Sequence, residues 1–208
     1  MNKNLKIILI NQNNIYEKDF KIIYKIVKSE NKLAIISRLS YRLFKKFLLQ
    51  ITKSNKIYLF TLKKADKLIG YAIFSENPNQ IFKSASNLKF NIIINLILSF
   101  KFITIANLVI KFFNIDKIFF SKYKKDYYNN TLNLSYLAIS SNEQSKGYGK
   151  YFVIKTLEIM KNKYLKNEVT VDTEDPNTKR FYLEKCNFKF YSQKIELFKL
   201  NTVFLKKI

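Results

Sequence analysis

The stretch Ser141-Asn142-Glu143-Gln144-Ser145-Lys146-Gly147-Tyr148-Gly149-Lys150 has the residue types to hold an anion, and two of the three glycines in the chain sit in it. Glycine lets backbone amides come close to a phosphate and permits a positive φ. With a strand before the loop and a helix after it, several amides would point at the ligand from the positive end of a helix dipole, a geometry that holds a diphosphate. An ordinary strand-to-helix turn has the same pattern, and spacing alone leaves both readings open. The remaining chemistry is restricted. The 208 residues include no histidine, which removes Ser-His-Asp and Cys-His nucleophile pairs and imidazole metal ligands. The single Cys186 can form neither an internal disulfide nor a thiolate zinc site. Acid–base work therefore falls to carboxylates, tyrosines, lysines and hydroxyls, and no metal is expected.

The elements that must position this loop can be read from periodicity. Leu132, Leu134, Tyr136 and Leu137-Ala138-Ile139 predict a buried strand before it, and Val153, Leu157, Met160 and Tyr164 predict one apolar face of a helix starting just after Gly149. Leu5 to Ile10 predicts a first strand, Ile15 to Val27 and Arg38 to Ile51 two helices, and Lys56 to Leu62 with Leu68 to Phe74 a hairpin closed by residues 63–67. From Ile81 to Phe120 the chain is apolar without a turn glycine, which fits two helices, and Lys122 to Thr131 reads as a loop. Farther on come a strand over Glu168 to Asp172, a short helix opened by Asp175-Pro176-Asn177 and running to Cys186, and a strand over Phe188 to Leu200.

With these elements in place, Leu137-Ala138-Ile139 followed by Gln144 to Gly149 resembles the acetyl-CoA motif of the GNAT superfamily: Gln or Arg, two residues, Gly, one residue, then Gly or Ala. Asn177-Thr178-Lys179-Arg180-Phe181-Tyr182-Leu183-Glu184-Lys185-Cys186-Asn187-Phe188 is similar to the later motif of that family, with Leu183 intervening and Asn187 standing for the usual glycine. Gly70 in Leu68-Ile69-Gly70-Tyr71-Ala72 looks like the third strand of the family. The resemblance covers roughly half the chain. It implies an α/β fold of one domain, a mixed and mostly antiparallel twisted sheet flanked by helices, with residues 81–130 inserted between the third and fourth strands. It also implies acetyl-CoA as co-substrate, contacted by Leu137, Ala138, Ile139, Gln144, Ser145, Lys146, Gly147, Tyr148, Gly149, Lys150 and Asn177. In that picture an amide near Leu137 polarises the thioester carbonyl, Asn177 binds the pantetheine arm, and Tyr182 is the catalytic acid that protonates the departing thiolate. The acceptor would be a small-molecule amine. The inserted helices look similar to those of GNAT proteins in surface-polysaccharide gene sets, which implies an amino sugar or nucleotide sugar. The general base is not readable; Glu76 reads as a solvated strand-end charge.

Composition supplies the rivals. A net charge of +23 with 16% aromatic residues fits a nucleic-acid-binding or membrane-surface protein, yet the lysines are scattered and no nucleic-acid recognition motif is present, so no nucleic-acid partner is expected. A GNAT domain that binds the coenzyme without transferring acetyl is a further alternative. Lys101, Lys111 and Lys117 punctuate apolar runs in a way that suits peripheral membrane contact, while no transmembrane span is read. No signal peptide is recognised at the N-terminus, and the expected compartment is the cytoplasm.

Overall fold

The computed structural model describes residues 4–32, 34–76, 80–98, 131–165, 167–196 and 199–208. Its centre is a seven-stranded sheet of β1 (Leu5–Ile10), β2 (Ile57–Lys64), β3 (Lys67–Ser75), β4 (Leu132–Ile139), β5 (Glu168–Thr173), β6 (Lys189–Glu196) and β7 (Lys199–Lys207), in the order β1-β2-β3-β4-β5-β7-β6. Neighbours are antiparallel except β4 and β5. β3 is buried along nearly its whole length, as a strand covered on both faces must be.

One face carries α1 (Glu17–Glu30) and α2 (Tyr41–Ile51), joined there by α3 (Gln80–Ser84) and α4 (Lys89–Leu98). α1 buries Phe20, Ile23, Ile26 and Val27, and α2 buries Leu43, Phe44, Phe47, Leu48 and Ile51, the i, i+3, i+4 spacing of an inward face. Asp19 accepts from the Tyr16 amide and fastens the start of α1. The other face carries α5 (Tyr148–Tyr164) and α6 (Pro176–Arg180), the latter continued by a π-turn at Phe181–Lys185. α5 buries Phe152, Val153, Leu157 and Met160, each worth about 1.5–3 kcal/mol against exposure, and its inward Thr156 donates to Phe152 O at 2.7 Å.

Five sequence expectations shift. α1 begins at Glu17, and the segment expected as one helix from Arg38 is a 3-10 turn over Ile35–Arg38 followed by α2. The β2–β3 connection is the two-residue turn Ala65-Asp66, with φ of 44° and 64°, so that Lys64 pairs with Lys67. Such a mirror-image turn matches the twist of the flanking strands, and both strands run farther than expected. α5 starts at Tyr148, not after Gly149, because Gly147 takes the capping position with φ 79°. The run after Phe188 is a hairpin of two strands, β6 and β7. Of the inserted segment, residues 80–98 form α3, a short 3-10 turn and α4; residues 99–130, including Lys101, Lys111, Lys117 and most of the expected loop, lie outside the described residues. Among the described residues no helix is long and apolar enough to cross a membrane.

Candidate functional site

β4 carries one residue too many for its partner. Ile73 of β3 faces Tyr136 while Phe74 faces Leu134, so Ser135 is the extra residue of a β-bulge. A bulge bends its strand and increases the local twist. On the other side, β4 pairs with β5 only at Leu132↔Val169 and Asn133↔Thr170, and from there the two strands part. The parting point is fastened by side chains. Ser75 and Ser135 lie 3.0 Å apart through their hydroxyls, Ser135 Oγ donates to Asn133 Oδ1 at 2.7 Å, Asn133 Nδ2 donates to Thr170 Oγ1 at 3.3 Å, and Thr170 Oγ1 donates to Leu132 O at 3.2 Å. Ser75, Asn133 and Thr170 are buried, so each hydroxyl or amide here needs its partner. Nothing in the sequence pattern pointed to this chain: its members are far apart in sequence and of types common on any strand.

Beyond the parting point, Leu137 and Ile139 pack toward the α5 side and Ala138 toward the α1–α2 side, and among the described residues the β5-facing edge of β4 has no strand neighbour there. An extended chain can pair with such an edge. α5 begins beside it. No side chain caps this helix start, whereas α6 is capped by Asp175, whose carboxylate accepts from Thr178 N–H at 2.7 Å. The first-turn amides of α5, at Tyr148, Gly149 and Lys150, have no acceptor within the helix, and they form the positive end of its dipole.

The loop leading to them is braced. Gln144 Nε2 donates to Ile139 O at 2.8 Å and to Glu30 Oε2 at 2.7 Å, tying β4, the loop and the end of α1 together. Ser145 joins Gly147 in the left-handed region with φ 60°. Lys146 Nζ donates to Asn142 O at 2.6 Å and reaches Glu143 at 3.2 Å; Lys64 reaches the same carboxylate at 3.2 Å and lies over the Tyr148 ring. Lys146 and then Lys64 hold the Glu143 carboxyl below its ordinary range, while Tyr148 and Glu143 push the Lys64 ammonium up. Cationic Lys64, at the far end of the β2–β3 hairpin, was not among the residues expected from sequence, since only the closed sheet brings it to this loop. Lys150 is exposed on the first turn. Gly149 packs under Phe181, whose ring would lie 3.4 Å from an added Cβ. At Gly70 a Cβ would sit 2.4 Å from Ile139 Cδ1 and 2.9 Å from Ala138 O, so β3 can approach β4 here only without a side chain.

Tyr182 lies in the π-turn, 3% exposed, in the same apolar cluster as Leu137 and Ile139. Its ring meets Phe181 and Phe188 edge-on, each at 5.2 Å between centroids. Burial, followed by the neighbouring Cys186, raises its phenol well above the ordinary range, so the proton is held until a stronger base arrives. The π-turn coincides with the intervening Leu183, 41% exposed; an extra residue in a helix is accommodated in this way. Asn187 takes φ 56°, the left-handed conformation its place at the helix end called for, and Phe188 N–H closes the turn on Tyr182 O at 3.0 Å. Asn177 is exposed in the first turn of α6. Glu76 accepts from Tyr58 at 3.3 Å on the α5 side of the sheet. A cavity of about 400 Å³ opens elsewhere, lined by Ile7, Tyr151 and Lys155. Among the described residues the divergent strands, not this cavity, combine an unpaired strand edge with a helix start that no side chain caps. Among the described residues no group of carboxylates and thiols could hold a metal ion.

No protein-family model and no curated protein matches the sequence. Solved structures do match it in three dimensions. A Desulfovibrio desulfuricans protein assigned to the GNAT acetyltransferase family superposes with a TM-score of 0.59 at 11% identity, covering 98% of both chains. Spermidine N-acetyltransferase from Vibrio cholerae, in complex with CoA and spermine, gives 0.61 at 12% identity, covering 99% of this chain and 96% of that one. The N-acetyltransferase PseH of Campylobacter jejuni, in complex with acetyl coenzyme A, gives 0.55 at 12% identity, covering 97% and 99%. At these identities the likeness is one of fold, and the fold is that of the GNAT acetyltransferases.

Proposed function

We propose that this chain, folded as the GNAT acetyltransferases are, is an acetyl-CoA-dependent N-acetyltransferase acting on the amine of a small molecule. One observation carries the reading: β4 leaves β5 after two rungs and presents its bare edge beside the uncapped start of α5. That pairing of features suits a ligand with a diphosphate at one end and an extended amide-bearing arm at the other. The diphosphate belongs on the amides of Gly147 to Lys150, with Lys146 and Lys64 supplying positive charge and Gln144 and Ser145 holding the loop in shape. The arm belongs along Leu137, Ala138 and Ile139, with Asn177 reaching it from α6.

In this reading the Leu137 amide donates to the thioester oxygen, which gains charge as the amine attacks. A well-aimed donor of that kind is worth about 3–4 kcal/mol at the transition state. Tyr182 holds its proton until the thiolate leaves and then gives it up. The acceptor we favour is an amino sugar or nucleotide sugar, on the resemblance of the inserted helices, of which α3 and α4 pack on the α1–α2 face and are tied to it by Ser40 N–H donating to Asn95 Oδ1 at 3.1 Å.

Calorimetric titration with acetyl-CoA tests the site. The protein should bind in the micromolar range usual for such co-substrates. A variant with Gly147→Val and Gly149→Val should lose binding while keeping its helical circular dichroism, because a β-branched residue at φ 79° and a side chain pressed on Phe181 reshape the amide cradle. Failure of the unmodified protein to bind acetyl-CoA removes the reading.

A further inference from the structure

The acid of the reaction sits on the α5 side of the sheet, and the reading above leaves the opposite role open: which group relieves the incoming ammonium of its proton. The cluster around Tyr182 fills the α5 side, so an acceptor meets the gap between β4 and β5 from the α1–α2 side. On that side Val169 and Val171 of β5 point away, into the α5 cluster, and the alternation of a strand turns Thr170 and Asp172 toward it. Thr170 is consumed in the last rung, through Asn133. Asp172 is the next residue on the same face and the first beyond the parting point. Two steps from the rung along β5 reach Asp172, and two along β4 reach the bulged Ser135, with Tyr136 next and Leu137 after it. Asp172 is therefore level with the bulge, two residues before the Leu137 amide along β4, and its pairing with Val203 of β7 keeps it in the sheet.

The surroundings fit this placement. Asp172 is half-buried, with Oδ1 shielded from bulk water. Tyr71 donates to Asn31 Oδ1 at 2.6 Å beneath the end of α1, with the Tyr136 phenol near enough to raise that of Tyr71 further after burial, so this face is polar where the apolar core ends. The three carboxylates of α1 serve elsewhere: Glu17 with Lys45 and Tyr41, Asp19 with Lys63, Glu30 with Gln144.

We propose that Asp172 binds the acceptor's ammonium group and takes its first proton, acting as the general base of the transfer. The inference rests on the acetyltransferase reading. Asp172 accepts one proton from R–NH3+; the freed lone pair forms the N–C bond to the thioester carbon; the C–S electron pair goes to sulfur, which takes the proton of Tyr182. The second surplus proton on nitrogen restores Tyr182 through solvent, and the proton on Asp172 is released, leaving one amide, one thiol and one proton in solution.

Two acceptors of nearly equal size separate this role from a structural one: ethylamine, which is protonated at neutral pH, and trifluoroethylamine, which is not. Thiol release from acetyl-CoA is measured with each as acceptor. Asp172→Asn should lower kcat/KM for ethylamine about a hundredfold or more and lower that for trifluoroethylamine far less, because only ethylamine must first give up a ground-state proton, with the ethylamine deficit shrinking as pH is raised. Asp172→Glu, which keeps the carboxylate, should recover part of the ethylamine activity. Equal losses on both amines, or none on either, overturn the assignment. So does transfer to neither amine by an unmodified protein that binds acetyl-CoA. Absence of acetyl-CoA binding by the unmodified protein instead takes down the transferase reading itself.

Discussion

At the scale of single residues, Tyr182 has two parts with separable duties. Its ring is packed between Phe181 and Phe188, while its hydroxyl, in the proposed reaction, supplies the proton. Phenylalanine keeps the first and deletes the second, so Tyr182→Phe should hold its melting temperature and acetyl-CoA affinity while kcat falls about a hundredfold or more. Unchanged turnover would remove Tyr182 from the chemistry. The sign of the pH effect follows from the raised phenol: the acid form persists above the usual tyrosine range near pH 10, so no alkaline loss of kcat through Tyr182 is expected below it. The motif residues were legible because glycine and glutamine act locally. Gly147 caps a helix, and Gln144 binds the carbonyl five residues before it. The burial of Tyr182 was not legible, since an adjacent Phe-Tyr pair does not say which ring faces the core.

Among the elements, α6 is the shortest that matters to the site, and five residues cannot hold a helix by themselves. Asp175 holds it: Oδ2 accepts from the Thr178 amide and hydroxyl, both at 2.7 Å, and Pro176 presets the first turn. The Thr178 hydroxyl and then its amide depress the Asp175 carboxyl. A folded-state value below the unfolded one, near 3.9, means the cap stabilises fully above that pH and is lost as pH falls through the folded value. Asp175→Ala should therefore cost about 1 kcal/mol at neutral pH in a urea titration, with the difference from the unmodified protein closing in acid. A difference that is constant with pH would mean that the cap is not the source. Acetyl-CoA affinity should weaken alongside, because Asn177 sits in the same turn.

For the whole molecule the dominant quantity is charge. With 38 Lys and Arg against 15 Asp and Glu, the field around the protein repels polycations and collects anions, at a range that salt shortens. A phosphate-bearing amine is drawn in, whereas a polyamine approaches against the field. In an acceptor screen, a nucleotide-linked amino sugar should show a higher kcat/KM than spermidine at low ionic strength, with the gap narrowing as salt is added. Preference for spermidine at low salt would refute the acceptor class while leaving the coenzyme site untouched. In the proposed role, Asp172 would be a local negative feature in a protein of high net positive charge, attractive to an ammonium only at close range.

The amino-acid sequence by itself determined the local devices: the strand, loop and helix around Gly147, the apolar stripes of α1, α2 and α5, the Asp175-Pro176 helix start, and the left-handed Asn187. Each depends on residues within a few positions of one another, where side-chain type acts directly on φ, on caps and on periodicity. Tertiary structure alone decided the bulge at Ser135, the parting of β4 from β5, the hairpin of β6 and β7, the arrival of Lys64 at the loop, and the level of Asp172. Apart from the hairpin, whose strands adjoin in sequence, these are matters of register between residues far apart in the chain, as with Asn133 and Thr170, 37 residues apart. Periodicity tells which face a residue takes; which residue lies opposite is set by the packing of both apolar faces at once.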